Sequence, residues 1–276
     1  MVDEKTNKVF NGGSYIAQID PVKGEVIKVQ ELELTDNQKL GLEASDIDRM
    51  QYHREHYFHM AQMRPEFSYT DAMGNMTLVS ASTYEVWKSS GGRSTNNYYN
   101  NSRIVTRFKP DATIAWQVMV PRSAWLAQLN YALSPAITMI DGKLHILFND
   151  HEDNIEPIAL MQSGKKLDGK SSSKSKSSSG KAKVQPPTDS DQMAELKKWN
   201  LGSAALRHTV IDAQGLWSVD WMRPVGKADD DDSKLPAIEG RTVYVSQSNS
   251  KEVLIGAFTK YGALGFRKWA MTKFTF

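Results

Sequence analysis

The chain contains no cysteine. Disulfides, thiolate nucleophiles, iron–sulfur clusters and cysteine-type zinc sites are therefore excluded. Its compartment is left open, because an exported protein can lack disulfides. No run of about 18 apolar residues occurs, so no transmembrane helix is expected. The opening stretch MVDEKTNKVFNGGSYIAQID lacks the apolar centre of a secretory leader, and no signal peptide is expected in this chain. A nucleophile elbow, a Walker loop, a dinucleotide fingerprint and the kinase motifs are all missing. A basic field is missing too. The formal charge of +2 is carried by one segment, residues 162–191, with seven Lys against three Asp, and the remainder sits near −2. No nucleic-acid partner is expected from such a balance.

What is present is one pattern, repeated. An alternating apolar run reaches a turn rich in Gly, Pro, Asp or Asn, and a second alternating run leaves it. The copies are Tyr15–Val29, Ser68–Trp87, Ser102–Val120, Ala136–Asp150, Arg207–Met222 and Val253–Met271. Strict alternation places successive side chains on opposite faces of a strand, and short turns between such runs make antiparallel hairpins. Asp20-Pro21 and Lys109-Pro110 suit turns with Pro at the second position, and Asp141-Gly142 is the strongest two-residue hairpin signal. Trp116, on the return strand after Lys109-Pro110, is predicted to pack in a core.

Repeated hairpins without long intervening helices predict an all-β fold. Their spacing, with aromatics on the return strands, favours a β-propeller-like arrangement over a two-sheet sandwich. At about 40–50 residues per blade, the chain holds about five blades, as a closed or an incomplete ring. A single domain over 1–276 is expected, with residues 162–191 as a disordered Ser/Lys-rich insert. That segment has too little apolar surface to offset the entropy of ordering. Two short helices are expected, over residues 35–51 (a Thr35…Gln38 capping box) and 189–200.

The stretches NNYYNNSRIVTRFKPDATIAWQVMVPR, SPAITMIDGKLHILFNDHEDNIE and RTVYVSQSNSKEVLIGAFTKYGALGFRKWAM together resemble a group of uncharacterised exported proteins of Bacteroidetes-type bacteria. The resemblance covers about residues 56–160 and 200–271. It implies a β-propeller-like fold and a periplasmic or extracellular location. It carries no catalytic residue over to this chain, because the family has no established function. Members are usually longer and bear a signal peptide; the Ser/Lys insert is a further departure.

Four clusters could carry chemistry. His53, His56 and His59 lie three residues apart, a spacing at which three ligands do not converge on a strand or a helix, so a metal site is disfavoured. After a strand, FNDHEDN concentrates Asn149, Asp150, His151 and Asp153. Oxygen-rich loops can hold calcium, but Asn and Asp also bond their own backbone at turns, and the spacing differs from the helix–loop–helix calcium motif. Asp229–Asp232 reads as a solvated loop. Trp217 and Trp221 share one face of a strand, which makes them core residues or, if exposed, a sugar-stacking platform. The sequence thus points to a non-catalytic exported binding or scaffold module with a protein or glycan partner. The alternative is a carbohydrate-active hydrolase or lyase drawing on Asp150, His151 and Asp153.

Overall fold

The computed structural model describes residues 2–3, 8–9, 14–32, 63–90, 93–127, 133–163, 196–198, 204–222, 237–245, 251–261 and 266–276. They form mostly β-structure in several antiparallel sheets. All six hairpins expected from the sequence are present as antiparallel pairs.

The strands are β1 (Val2–Asp3), β2 (Lys8–Val9), β3 (Ser14–Ile19), β4 (Val26–Leu32), β5 (Met63–Thr70), β6 (Met76–Ser90), β7 (Arg93–Phe108), β8 (Ile114–Val120), β9 (Trp125–Ala127), β10 (Ala136–Ile140), β11 (Lys143–His151), β12 (Ala204–Ile211), β13 (Trp217–Met222), β14 (Ala237–Val245), β15 (Glu252–Tyr261) and β16 (Phe266–Thr275). They group in chain order: β1–β2, β3–β4, β5–β6–β7–β8 with β9 also on β7, β10–β11–β12–β13, and β14–β15–β16. Apart from β9, every strand pairs with a sequence neighbour, so β5–β8, β10–β13 and β14–β16 are up-and-down meanders and β1–β2 and β3–β4 are hairpins. Among the described residues, the helix α1 (Ile155–Ser163) follows a 3-10 turn over Glu152–Asn154.

The turns explain the hairpins. At Asp141-Gly142 both residues have positive φ, 49° and 74°, the conformation of a two-residue turn matched to strand twist. Three other turns share one geometry. The amides of Asp71, Lys109 and Asp212 donate to the carbonyls of Asn75, Thr113 and Leu216, and the residue before the last is left-handed: Gly74, Ala112 and Gly215. Asp71 and Asp212 stabilise their turns by accepting two backbone amides each on Oδ1.

β11 shows how the sheets stack. Leu144, Ile146 and Phe148 join a core with Val79, Ile104, Val105, Val118 and Val120 of the β5–β8 sheet and with Ile158 and Met161 of α1. Between them, Leu147 joins a second core with Val253, Ile255 and Phe274 of the β14–β16 sheet. The β10–β13 sheet is therefore covered on both faces, one by the meander before it and one by the meander after it. Trp116 is half-buried and packs against the first core, and its indole Nε1 donates to the carbonyl of Ala213 at 2.9 Å. The ring also lies on Gly215, where an added Cβ would stand 2.8 Å from ring carbon Cδ2. Gly215 is required twice over, by its φ of 81° and by the indole.

α1 was not expected from the sequence, and it takes in Gln162 and Ser163, the first two residues of the expected insert. The rest of that insert, residues 164–191, lies outside the described residues. So do the expected helix over 35–51 and most of the one over 189–200; Leu196–Lys198, which are described, are not helical.

Candidate functional site

The stretch Phe148–Asn154 was expected to follow a strand; Asn149, Asp150 and His151 instead end β11, and of the four candidates only Asp153 lies beyond it, in the 3-10 turn. The fold anchors the stretch to a cluster of buried charges. β11 carries Phe148 and Asp150 on the face toward the β5–β8 sheet. Asp150 is fully buried. Its Oδ1 accepts the backbone amide of His151 at 2.8 Å and Asn154 Nδ2 at 2.7 Å, and its Oδ2 lies 3.3 Å from Arg207 Nη1 on the neighbouring strand β12. Asn154 in turn clasps Lys197, accepting its amide at 2.7 Å and donating to its carbonyl at 2.9 Å. His151 caps the 3-10 turn, its Nδ1 accepting the amide of Asp153. Asp153 is exposed. Asn149 is buried, and its carbonyl accepts Arg122 Nη2 at 3.0 Å.

The four candidates are therefore adjacent in sequence but do different work. Asp150 turns its carboxylate, and Asn149 its backbone carbonyl, to arginines; His151 holds a turn, and Asp153 faces solvent. Among the described residues no three His, Asp or Glu side chains converge to hold a metal ion. Both oxygens of Asp150 are already engaged, and the loop does not present the six to eight converging oxygens that calcium takes.

Beneath the loop lies a cluster that sequence reasoning missed. Arg103, Arg122 and Arg207 are each fully buried. Their guanidinium carbons stand 5.3, 4.7 and 5.0 Å from the centre of the Phe148 ring. Arg103 pairs with Glu66 at 2.8 Å and Arg207 with Asp150, whereas no carboxylate among the described residues pairs with Arg122. Neutral oxygens serve it: Asn100 Oδ1 and the Leu133 carbonyl at 2.6 Å each, and the Asn149 carbonyl. Asn100 Oδ1 also takes Arg103 Nη2 at 2.6 Å, so one amide oxygen bridges two guanidinium groups. Nε and Nη2 of Arg207 have no hydrogen-bond partner among the described residues; its guanidinium stands 5.9 and 5.8 Å from the Trp217 and Trp221 rings in addition to Phe148. The two tryptophans thus pack inward around a cation and do not form an exposed platform.

The electrostatics follow from burial. Removal from water, then the nearby Arg103, push Arg122 well below the usual guanidinium range. Burial brings Arg207 down to about 10, with Asp150 pulling the other way. Three buried cations against two carboxylates cost several kcal/mol each in desolvation, which their hydrogen bonds and the aromatic faces offset. The result is a rigid junction. It ties β5, β7, the segment after β8, β11 and β12 together with directional bonds that an apolar core lacks. The weak signal available in the sequence was the apolar setting of two of these arginines, in VPRSAW and ALRHTV.

A second buried polar group lies on the opposite face of β11. His145 Nδ1 and His208 Nε2 are 3.0 Å apart, the rings stack with centroids at 5.1 Å, and Phe276 tilts against both at 4.9 Å. Burial first, then His208, lowers His145 to about 4; burial lowers His208 as well, against a pull from Asp220. His53, His56, His59 and Asp229–Asp232 lie outside the described residues.

No protein-family model matches this chain, and neither a curated protein nor a solved structure is significantly similar to it.

Proposed function

We propose that this chain is a β-propeller-like binding or scaffold module, non-catalytic, exported, and directed at a protein or glycan partner. The observation that carries this reading is the stacking of successive up-and-down meanders in chain order, the middle one covered on both faces by its neighbours. Radial repetition of such meanders builds a propeller, whose loops make binding surfaces. Export rests on the resemblance to exported bacterial proteins alone.

The fate of the candidate acids favours binding over catalysis. A general acid or base needs a carboxyl group free to exchange a proton with substrate. Asp150 is fully buried and spent on Arg207, Asn154 and the His151 amide. A glycosidase would need a second carboxyl roughly 5–10 Å away and reachable by a sugar. Thermal unfolding of the purified chain in chelator, then with calcium, zinc and a panel of oligosaccharides, tests the reading. A sharp transition raised by one glycan class without turnover is expected of a glycan-binding module. Hydrolysis or elimination of any of those glycans, lost in Asp150→Ala at an unchanged melting temperature, would establish the enzyme instead.

A further inference from the structure

The β14–β16 meander is seated over a pair of imidazoles. Leu147 stands opposite His208 and Val210 opposite His145, so both histidines share the face of β11–β12 that carries Leu147. That face meets Val253, Ile255 and Phe274, and β14 runs against β10, β11 and β12. Both histidines are buried. Phe276, just after β16, tilts against both rings, and its amide donates to the Lys251 carbonyl at 2.9 Å. The 3.0 Å contact between His145 Nδ1 and His208 Nε2 is a hydrogen bond only while one nitrogen carries a proton and the other a lone pair. One added proton leaves a cation beneath a ring and beside apolar side chains, and a proton on both facing nitrogens sets two N–H groups head to head. The carboxylates nearest the pair, Asp141 and Asp220, are exposed, so their pull is screened by water.

We infer that this pair is an acid-operated latch: on acidification the β14–β16 meander lifts off the β10–β13 sheet, while the β5–β8 and β10–β13 sheets stay joined. Lifting the meander gives both imidazoles to water, where they take protons near pH 6.5. In the docked state burial, then His208 and Lys143, hold His145 down to about 4, against Asp141 and a hydrogen bond to the Ile140 backbone. Burial lowers His208 too, against Asp220. The lifted state therefore binds more protons between those values, and acid favours it. Among its described side chains, the β14–β16 sheet brings Lys251, paired with Asp141, and Glu252 and Lys273, paired with each other. The arginine junction on the other face of β11 contains no histidine, so it lacks a group of this kind.

Amide hydrogen exchange of the full chain, read by mass spectrometry at about pH 7 and pH 5 and corrected for the intrinsic pH dependence of exchange, tests the inference. A small sheet whose apolar face has lost its cover frays. Peptides of β15 and β16 are therefore expected to lose protection roughly tenfold at the lower pH, while those of β7 and β8 keep theirs. Return to neutral pH is expected to restore the protection. The double variant His145→Leu/His208→Leu is expected to remove the acid step. The milder His145→Gln, which keeps a hydrogen-bonding side chain without the titration, is expected to shrink it. Equal loss over all the sheets, no loss over β15 and β16, or an acid step of full size in either variant overturns the inference.

Discussion

The two faces of the β10–β13 sheet are cemented by opposite chemistry. Toward the β5–β8 meander, β11 offers Phe148 and Asp150 to three buried arginines, and the contact is charged, directional and pinned at its margin by Trp116. Toward the β14–β16 meander, the same strand offers His145 and Leu147, and the contact is apolar with a pair of neutral imidazoles under an aromatic ring. One strand serves both because its side chains alternate. The difference teaches that alternation specifies two faces, while what covers each face decides which polar groups are tolerated there. Cations survive where carboxylates, carbonyls and ring faces surround them. Imidazoles survive where they stay uncharged.

The charged face should break hardest. Asp150→Ala leaves Arg207 buried without its carboxylate and frees Asn154 and the His151 amide, so a loss of about 3–5 kcal/mol is expected from denaturant unfolding. A loss under 1 kcal/mol would show that Arg207 is neutralised some other way.

Gly215→Ala probes the margin of the same face. The new methyl meets the Trp116 ring and the residue must keep a left-handed backbone; overpacking and strain together predict about 2–4 kcal/mol. Pairing it with Trp116→Ala should recover the overpacking part, and a cycle without coupling would place the strain elsewhere.

The neutral face should respond to acid. In the unfolded chain each histidine takes a proton near its ordinary value of about 6.5. In the folded protein His145 resists protonation until about 4. The unfolded state then binds more protons across that window, so stability falls as pH drops from about 6.5 to about 4, with a loss of several degrees in melting temperature. His145→Leu should flatten this slope while leaving the Asp150 effect intact. Equal slopes in parent and variant would locate the acid sensitivity in other groups.

The hairpins were legible in the sequence because strand alternation and turn chemistry are local. Asp141-Gly142 alone fixes a backbone conformation, and all six repeats became strand pairs. What covers a strand is not local. Arg103, Arg122 and Arg207 look like ordinary surface charges until the sheets stack; Glu66 lies 37 positions from Arg103, Asn149 27 from Arg122, and Arg207 finds Asp150 57 and the Pro121 carbonyl 86 positions away. The β3–β4 hairpin carries the same alternation as β12–β13, yet turns its apolar side outward; periodicity is silent about which side faces the protein. Helix α1 was hidden because Pro157 and the polar run before it read as loop. Of the candidate loop, the inward role of Asp150 followed from its place at the strand end, whereas the separation of Asp153 from it followed from the 3-10 turn.

The docking of Trp116 on the Gly215 turn, like that of Lys28 on the Asp111 carbonyl, joins a sheet to a turn of the one that follows it. Linkage of this kind makes the molecule behave as a short row of coupled units, each held by its neighbours. Damage to one junction would loosen the two meanders that share it and spare those farther along. Slow amide exchange would then be concentrated in the β10–β13 sheet, flanked on both sides, and would fade toward the ends of the row.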